Sequence, residues 1–226
     1  MQKTSIPEMH RLTVEQFHEA EKMPLIVVLD DVRSLYNVGS VFRTADAFRV
    51  EAIYLCGITA TPDTVYNPDG TILRDCSLKA SQEIHKTALG AENSVAWRYF
   101  ADYNDCIRAL RAQHCTILAV EQCHGSTMLN DFIPNDKGES APYPTASLSP
   151  KYQNINEAEG VQRPLTGGGA PTYAVILGNE VKGVHQDLID QCDGCLEIPQ
   201  YGTKHSLNVS VTGGIIIHHF ATHLLK

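Results

Sequence analysis

Short apolar runs recur along the chain, each too brief for a helix and rich in β-branched residues. The clearest cover residues 25–29, 52–56, 116–120 and 173–177, with weaker ones at 95–100 and 195–198. Runs that are apolar at every position, and do not alternate with polar residues, are what strands buried on both faces require. Helical stretches fall between them. Thr13-Val14-Glu15-Gln16 reads as a capping box that opens a short helix. Residues 38–48, 103–113 and 184–192 fit crossover helices. Strand alternating with helix implies an α/β fold, a mostly parallel sheet with helices on both faces.

Two stretches break the rhythm. Residues 61–82 contain Asn67-Pro68-Asp69-Gly70, a turn signature. Residues 134–171 hold six of the chain's eleven prolines together with five glycines, a density that excludes a regular helix or a central strand. Only about 55 residues follow, and they complete the sheet pattern. Residues 1–226 are therefore expected to form one domain, with a short N-terminal helical extension (1–24) and two insertions (61–82 and 134–171).

Composition narrows the function classes. The 226 residues are 43% hydrophobic and 19% charged, a globular mix. No uncharged apolar run approaches the ~20 residues that span a bilayer, and the first residues lack the apolar centre of a signal peptide. A cytoplasmic protein with no membrane partner is expected. Lys and Arg number 18 against 26 Asp and Glu, leaving −8, which argues against nucleic acid for the molecule as a whole but not for a local face. Seven scattered cysteines suit reduced thiols. Cys192-Asp193-Gly194-Cys195 lacks the second ligand pair of a structural zinc site, and His219 with His223 lacks the glutamate of HExxH, so no metal is expected. Gly167-Gly168-Gly169 has no following Lys-Ser/Thr, and no strand runs into G-x-G-x-x-G, which disfavours a P-loop and a dinucleotide fold.

Three segments that follow predicted strands carry unusual chemistry, where open α/β sheets place ligands. In residues 30–45, Asn37 is expected to cap the following helix, Gly39 to permit close approach of a ligand, and Arg43 to lie two turns in. Gly178-Asn179-Glu180-Val181-Lys182-Gly183 joins a strand to a helix near Val184, and its backbone amides suit a carboxylate or an adenine edge. In residues 198–215, Gly202 turns the chain and Ser206 is a plausible N-cap for a long helix along which Leu207, Val211, Ile215 and Phe220 keep near-helical spacing. Gly213-Gly214 inside that helix costs about 1 kcal/mol per glycine relative to alanine, which suggests close packing of backbone or ligand there.

Together, Asn37 through Arg43-Thr44-Ala45, Gly178-Asn179-Glu180-x-x-Gly183, and Ile198-Pro199-x-x-Gly202 running into Ser206-Leu207-Asn208-Val209-Ser210 resemble the three signature motifs of the SpoU/TrmH branch of SPOUT RNA methyltransferases. The resemblance covers residues 25–122 and 173–226, apart from the insertions. It implies a C-terminal deep trefoil knot, a homodimer with its active site near the subunit interface, and transfer of the methyl group of S-adenosylmethionine to a ribose 2′-hydroxyl of RNA. By the same resemblance Arg43, Asn37, Glu180, Ser206 and Asn208 form the catalytic pocket. Leu177, Gly178, Asn179, Gly183, Ile198, Gly202, Ser206 and Leu207 hold the cofactor. Arg33, Arg43, Arg49, Lys182 and Lys204 are expected to bring cations to one RNA-binding face. Many members add an N-terminal RNA-binding domain, whereas about 24 residues precede the first strand here. This favours tRNA over rRNA as substrate. A silent RNA binder on the same scaffold, and a base methyltransferase, are the competing readings. The intact set of motif residues argues against the first and the Arg43 arrangement against the second.

Overall fold

The computed structural model describes residues 3–5, 7–134 and 173–225, so the proline-rich stretch lies outside the described residues except for Pro134. Within them run α1 (Val14–Glu19), β1 (Met23–Asp30), α2 (Leu35–Ala47), β2 (Val50–Cys56), β3 (Val65–Tyr66), β4 (Ile72–Arg74), α3 (Leu78–Ala88) and α4 (Ala91–Ser94). There follow β5 (Ala96–Phe100), α5 (Tyr103–Ala112), β6 (Thr116–Val120), β7 (Thr127–Met128), β8 (Tyr173–Leu177), α6 (Gln186–Ile189), β9 (Gly194–Glu197) and α7 (Val209–Leu224). Seven strands form one sheet in the order β5-β2-β1-β8-β6-β9-β7, and every neighbouring pair is parallel.

The apolar runs sort by parity into two cores. Leu25, Val27 and Leu29 of β1, with Val175 and Leu177 of β8, face α2 and α7. Ile26, Val28, Ala174 and Ile176 face α5 and α6. This is the two-sided burial that an uninterrupted apolar strand predicts.

The late strands enter between earlier ones. β8 separates β1 from β6, and β9 separates β6 from β7. The turn after β8 therefore sits at the carboxyl edge of the sheet with the end of β1 on one side and the end of β6 on the other. Such a switch point is where ligands bind in open α/β sheets.

The local signals place the elements well and some of their ends less well. The capping box at Thr13 is present, its hydroxyl accepting from the Gln16 N–H at 3.2 Å. Asn37 is not the cap of α2. Ser34 is, its Oγ accepting from the Asn37 N–H at 3.3 Å, and Asn37 lies in the first turn. Likewise Asn208 and not Ser206 caps α7, with Oδ1 accepting from the N–H groups of Ser210 (2.9 Å) and Val211 (3.4 Å). The helix expected at 184–192 is the single turn α6.

Residues 61–82 are not a bare loop. A β3–β4 hairpin turns at residues 67–70 and leads into α3, which packs on α2. This explains Gly39. A Cβ there would lie 2.2 Å from Thr87 Oγ1 and 2.3 Å from the Ile84 carbonyl oxygen, so the close approach is by α3 and not by a ligand. The pair in α7 divides. A Cβ on Gly213 would stand 3.2 Å from Leu177 and 3.4 Å from Val41, while Gly214 faces open space.

Candidate functional site

A cavity of about 780 Å³ opens at the carboxyl edge, between the turns that follow β6, β8 and β9. Its wall includes Leu177, Gly178, Asn179, Gly183, Ile198, Ser206 and Leu207, seven of the eight residues expected to hold a cofactor. Gly202 is the exception. It lies in an exposed bend outside the wall, with nothing within 4 Å of where a Cβ would stand.

The turn after β8 is folded on itself. Asn179 and Gly183 form an antiparallel bridge, their backbone groups paired at 2.9 and 3.1 Å. Asn179 Oδ1 accepts from the N–H groups of Val181 (2.9 Å) and Lys182 (3.1 Å), and its Nδ2 donates to the Asp31 carbonyl at 2.8 Å. Gly178 has no room for a side chain, since a Cβ would lie 2.3 Å from the Gly183 carbonyl carbon. The spacing of Gly178 and Gly183 thus reflects backbone packed on backbone.

Glu180 ties this turn to the start of α2. Its Oε2 accepts from the Arg33 N–H (3.1 Å), and its Oε1 from the Ser34 N–H (3.0 Å) and from Asn37 Nδ2 (3.3 Å). Partial burial pushes the carboxyl up. The amides of Arg33, Glu180 itself and Ser34, with the Asn37 side chain, outweigh that and hold it below the ordinary carboxylate range. Asn37 Oδ1 in turn accepts from Asn208 Nδ2 at 3.1 Å. Three expected site residues therefore form one junction among the β1–α2 turn, the β8–α6 turn and the head of α7. Their polar groups are engaged with one another.

Arg43 stands apart. It lies six residues beyond Asn37, about 9 Å along α2 and on another side of the helix. It is absent from the wall of the first cavity and lines a second, of about 790 Å³, between α2, the residues before α1 and the α3–α4 turn. Arg49 and Arg11 share that groove. None of the four ion pairs among the described residues uses any of the three. The five expected RNA-binding cations accordingly do not share one wall: Arg43 and Arg49 line the groove, Lys182 lines the first cavity, and Arg33 and Lys204 are exposed outside both.

Sequence reasoning missed Arg11, Asp31 and Glu121. Asp31 adopts a left-handed φ of 53° and accepts from the Ile58 N–H at 2.9 Å, with His185 Nε2 at 3.5 Å. The preceding Asp30 is buried, which together with the Asp31 charge pushes its carboxyl up to about 6 against the opposing effect of His185. Both open the 30–45 segment, but their spacing to its other residues does not set them apart.

All seven cysteines are free. Burial pushes the Cys192 thiol up to about 12 and raises Cys195 further, which makes both poor nucleophiles. His219 and His223 are engaged in local contacts, with His219 Nε2 2.7 Å from the Phe132 carbonyl oxygen. Among the described residues no three His, Cys, Asp or Glu side chains are placed to hold a metal ion, and no helix is long and apolar enough to cross a membrane.

Comparison with known proteins agrees with this architecture. Residues 24–218 match the model of the SpoU rRNA Methylase family. The chain is 38% identical over 194 residues to the 23S rRNA (guanosine(2553)-2′-O)-methyltransferase RlmP of Bacillus subtilis (strain 168), covering 86% of this chain and 56% of that protein. Among solved structures, an AdoMet-bound rRNA methyltransferase from Sinorhizobium meliloti superposes with a TM-score of 0.63 at 22% identity, over 93% of this chain and 61% of the other. The A. aeolicus TrmH/SpoU tRNA modifying enzyme gives 0.61 at 19% identity, over 93% and 80%. The chain spans between half and two thirds of the length of the first curated relatives it matches. With a family model matched over residues 24–218, and with Asn37, Glu180 and Asn208 of the three motifs joined at one edge of the sheet, the chain belongs to the SpoU rRNA methylase family.

Proposed function

We propose that this chain is an S-adenosylmethionine-dependent methyltransferase acting on a ribose 2′-hydroxyl of RNA. The observation that carries the reading is the separation of charge between the two cavities. The first is lined by Glu121, Glu180, Asp190 and Glu197 against one lysine, Lys182, and the histidines His124 and His205. Such a wall suits a small ligand bearing a sulfonium and an ammonium and repels a phosphate. Ile198 and Leu207 add the apolar surface an adenine ring needs. The second is lined by Arg11, Arg43 and Arg49 against Asp46 alone, which suits a polyanion even on a chain of −8.

When bound, S-adenosylmethionine supplies a methyl carbon already activated by its sulfonium. What the chain must provide is alignment, which can contribute about 7–11 kcal/mol. The turns at Gly178 and Ile198 hold the donor. Arg43 grips the phosphate beside the target ribose through its planar fork, fixing the 2′-oxygen for in-line attack. Arginine keeps its proton, with a pKa above ~12, so the hydroxyl proton passes to a phosphate oxygen or to water.

Donor cavity and Arg43 are separate within one chain, which supports a homodimer whose site is completed across the interface. α7 supplies a surface for it: Val211 (50% exposed) and Ile215 (37%) lie one turn apart opposite its buried face. In this reading the C-terminal segment threads a knot. The insertion of β8 and β9 between earlier strands, and the 2.7 Å bond from Gln122 Nε2 to the His205 carbonyl, support that path. The whole chain forms one methyltransferase domain, and seven free thiols suit the cytoplasm.

Ribosomal RNA is the first substrate class to test, because the Bacillus relative and the Sinorhizobium neighbour both carry rRNA in their names. Transfer RNA is the second reading, supported by the A. aeolicus neighbour. Filter binding of each RNA across a salt series tests the charge assignment. Affinity is expected to fall steeply with salt, and Arg11→Ala and Arg49→Ala are each expected to lower the logarithmic slope by about one. Salt-independent binding would contradict the assignment.

A further inference from the structure

Glu121 is the first residue past β6, and β6 lies between β8 and β9, the strands whose following turns wall the acidic cavity. Its backbone extends the sheet, the N–H donating to the Leu196 carbonyl at 3.1 Å. The carboxylate turns toward the β8–α6 turn. Oε2 accepts from the Val184 N–H at 3.1 Å, and Oε1 from the Gln122 N–H at 2.8 Å.

Two glycines record how tight this contact is. A Cβ on Gly183 would lie 2.0 Å from Glu121 Oε2, and Gly183 also holds a left-handed φ of 68°. On the other side, a Cβ on Gly178 would lie 2.4 Å from the Val184 nitrogen. Glu121 carboxylate, Gly183–Val184 backbone and Gly178 backbone are therefore layered in direct contact. Glu180 grips the same turn from the β1 side through Arg33 and Ser34. The turn is held at both edges by carboxylates: Glu121, just past β6, accepts the Val184 N–H, and Glu180 accepts the Arg33 and Ser34 N–H groups of the β1–α2 turn.

We propose that Glu121 is a positioning residue for the cofactor, its carboxylate pressing the Gly183–Val184 backbone onto Gly178 so that the cavity wall is set before the ligand arrives. The proposal rests on the reading of the cavity as the S-adenosylmethionine site. Without the carboxylate, the Val184 N–H loses its acceptor and the turn loses its hold on β6. The cost then appears as ligand affinity, because the ligand must reform the wall as it binds.

The test uses the full chain and S-adenosylhomocysteine as the probe, with calorimetric affinity, RNA filter binding and thermal midpoint measured together. Glu121→Ala is expected to weaken S-adenosylhomocysteine about tenfold, the order of one charge-assisted hydrogen bond lost, with RNA affinity unchanged and the midpoint lowered by only about 2–4 °C per kcal/mol of that loss. Glu121→Gln, which keeps an acceptor oxygen, is expected to recover most of the loss. Gly183→Ala weakens binding in the wild-type background. Combined with Glu121→Ala it is expected to cost less than the product of the two effects, because the clash with Oε2 is gone. A Glu121→Ala variant that binds the probe as wild type does, or that loses RNA affinity in step with it and drops in midpoint beyond that range, would overturn the proposal. If wild type binds the probe and the variant matches it, only this proposal falls. If wild type fails to bind, the functional reading falls with it.

Discussion

Arg43→Ala is expected to lower single-turnover methyl transfer by about 10²–10³-fold, the scale of removing one preorganised donor from a reacting centre. Affinity for S-adenosylhomocysteine should hold within about a factor of two, because Arg43 is not part of the cavity wall. Lysine is not expected to restore the rate, since a point charge does not reproduce the two-pronged contact of a guanidinium with phosphate. Rates with saturating RNA, measured beside calorimetry of the product cofactor, separate the two quantities. An alanine variant with more than a tenth of the wild-type rate would remove Arg43 from the chemistry.

Val211→Glu is expected to convert dimer to monomer and to abolish turnover while leaving the cofactor cavity intact. Val211 is half exposed in the first turn of α7, with partly exposed Ile215 one turn further on the same side. A carboxylate buried there without a partner costs several kcal/mol, on the scale of about 3–5 for an uncompensated buried charge. Sedimentation reads the assembly, and calorimetry with S-adenosylhomocysteine reads the cavity. Mixing Arg43→Ala with Gly178→Ala sharpens the point. If each site draws Arg43 from one copy and the cavity from the other, half of the assemblies are mixed. Each of those carries one sound site, so activity returns to about a quarter of wild type. Fully active Val211→Glu monomers, or a mixture that stays silent, would place the whole site within one chain.

How far the sequence reveals this molecule depends on how local each signal is. The runs at 116–120 and 173–177 coincide with β6 and β8 residue for residue, because burial on both faces leaves no polar position in their interiors. α3 escaped because its apolar face is narrow. Ile84 and Ala88 are its buried residues, and the rest is polar or exposed. The observed caps lie three positions before and two positions after the expected ones, because Ser34 and Asn37, and Ser206 and Asn208, are all competent N-caps. Only the fold decides: Ser34 faces the open amides of α2 while Asn37 reaches to Glu180, and Asn208 both caps α7 and reaches to Asn37.

The candidate site shows the same limit. Glycines 178 and 183 stand out in sequence, but the reason for them, backbone layered on backbone beneath a carboxylate, requires knowing that β6 borders β8. Glu121 is one acid after an apolar run and carries no signal of its own. The division of cations between a basic groove and an acidic cavity was likewise hidden. Arg11, Arg43 and Arg49 converge only because the residues before α1 cross the flank of α2.

One measurement bears most directly on the reading of this chain as a ribose methyltransferase. The purified protein is incubated with methyl-labelled S-adenosylmethionine and, separately, ribosomal and transfer RNA, and each RNA is then digested to nucleosides. Label recovered in 2′-O-methylnucleosides is the predicted result. Label in a methylated base, or RNA that binds and stays unlabelled, would contradict it.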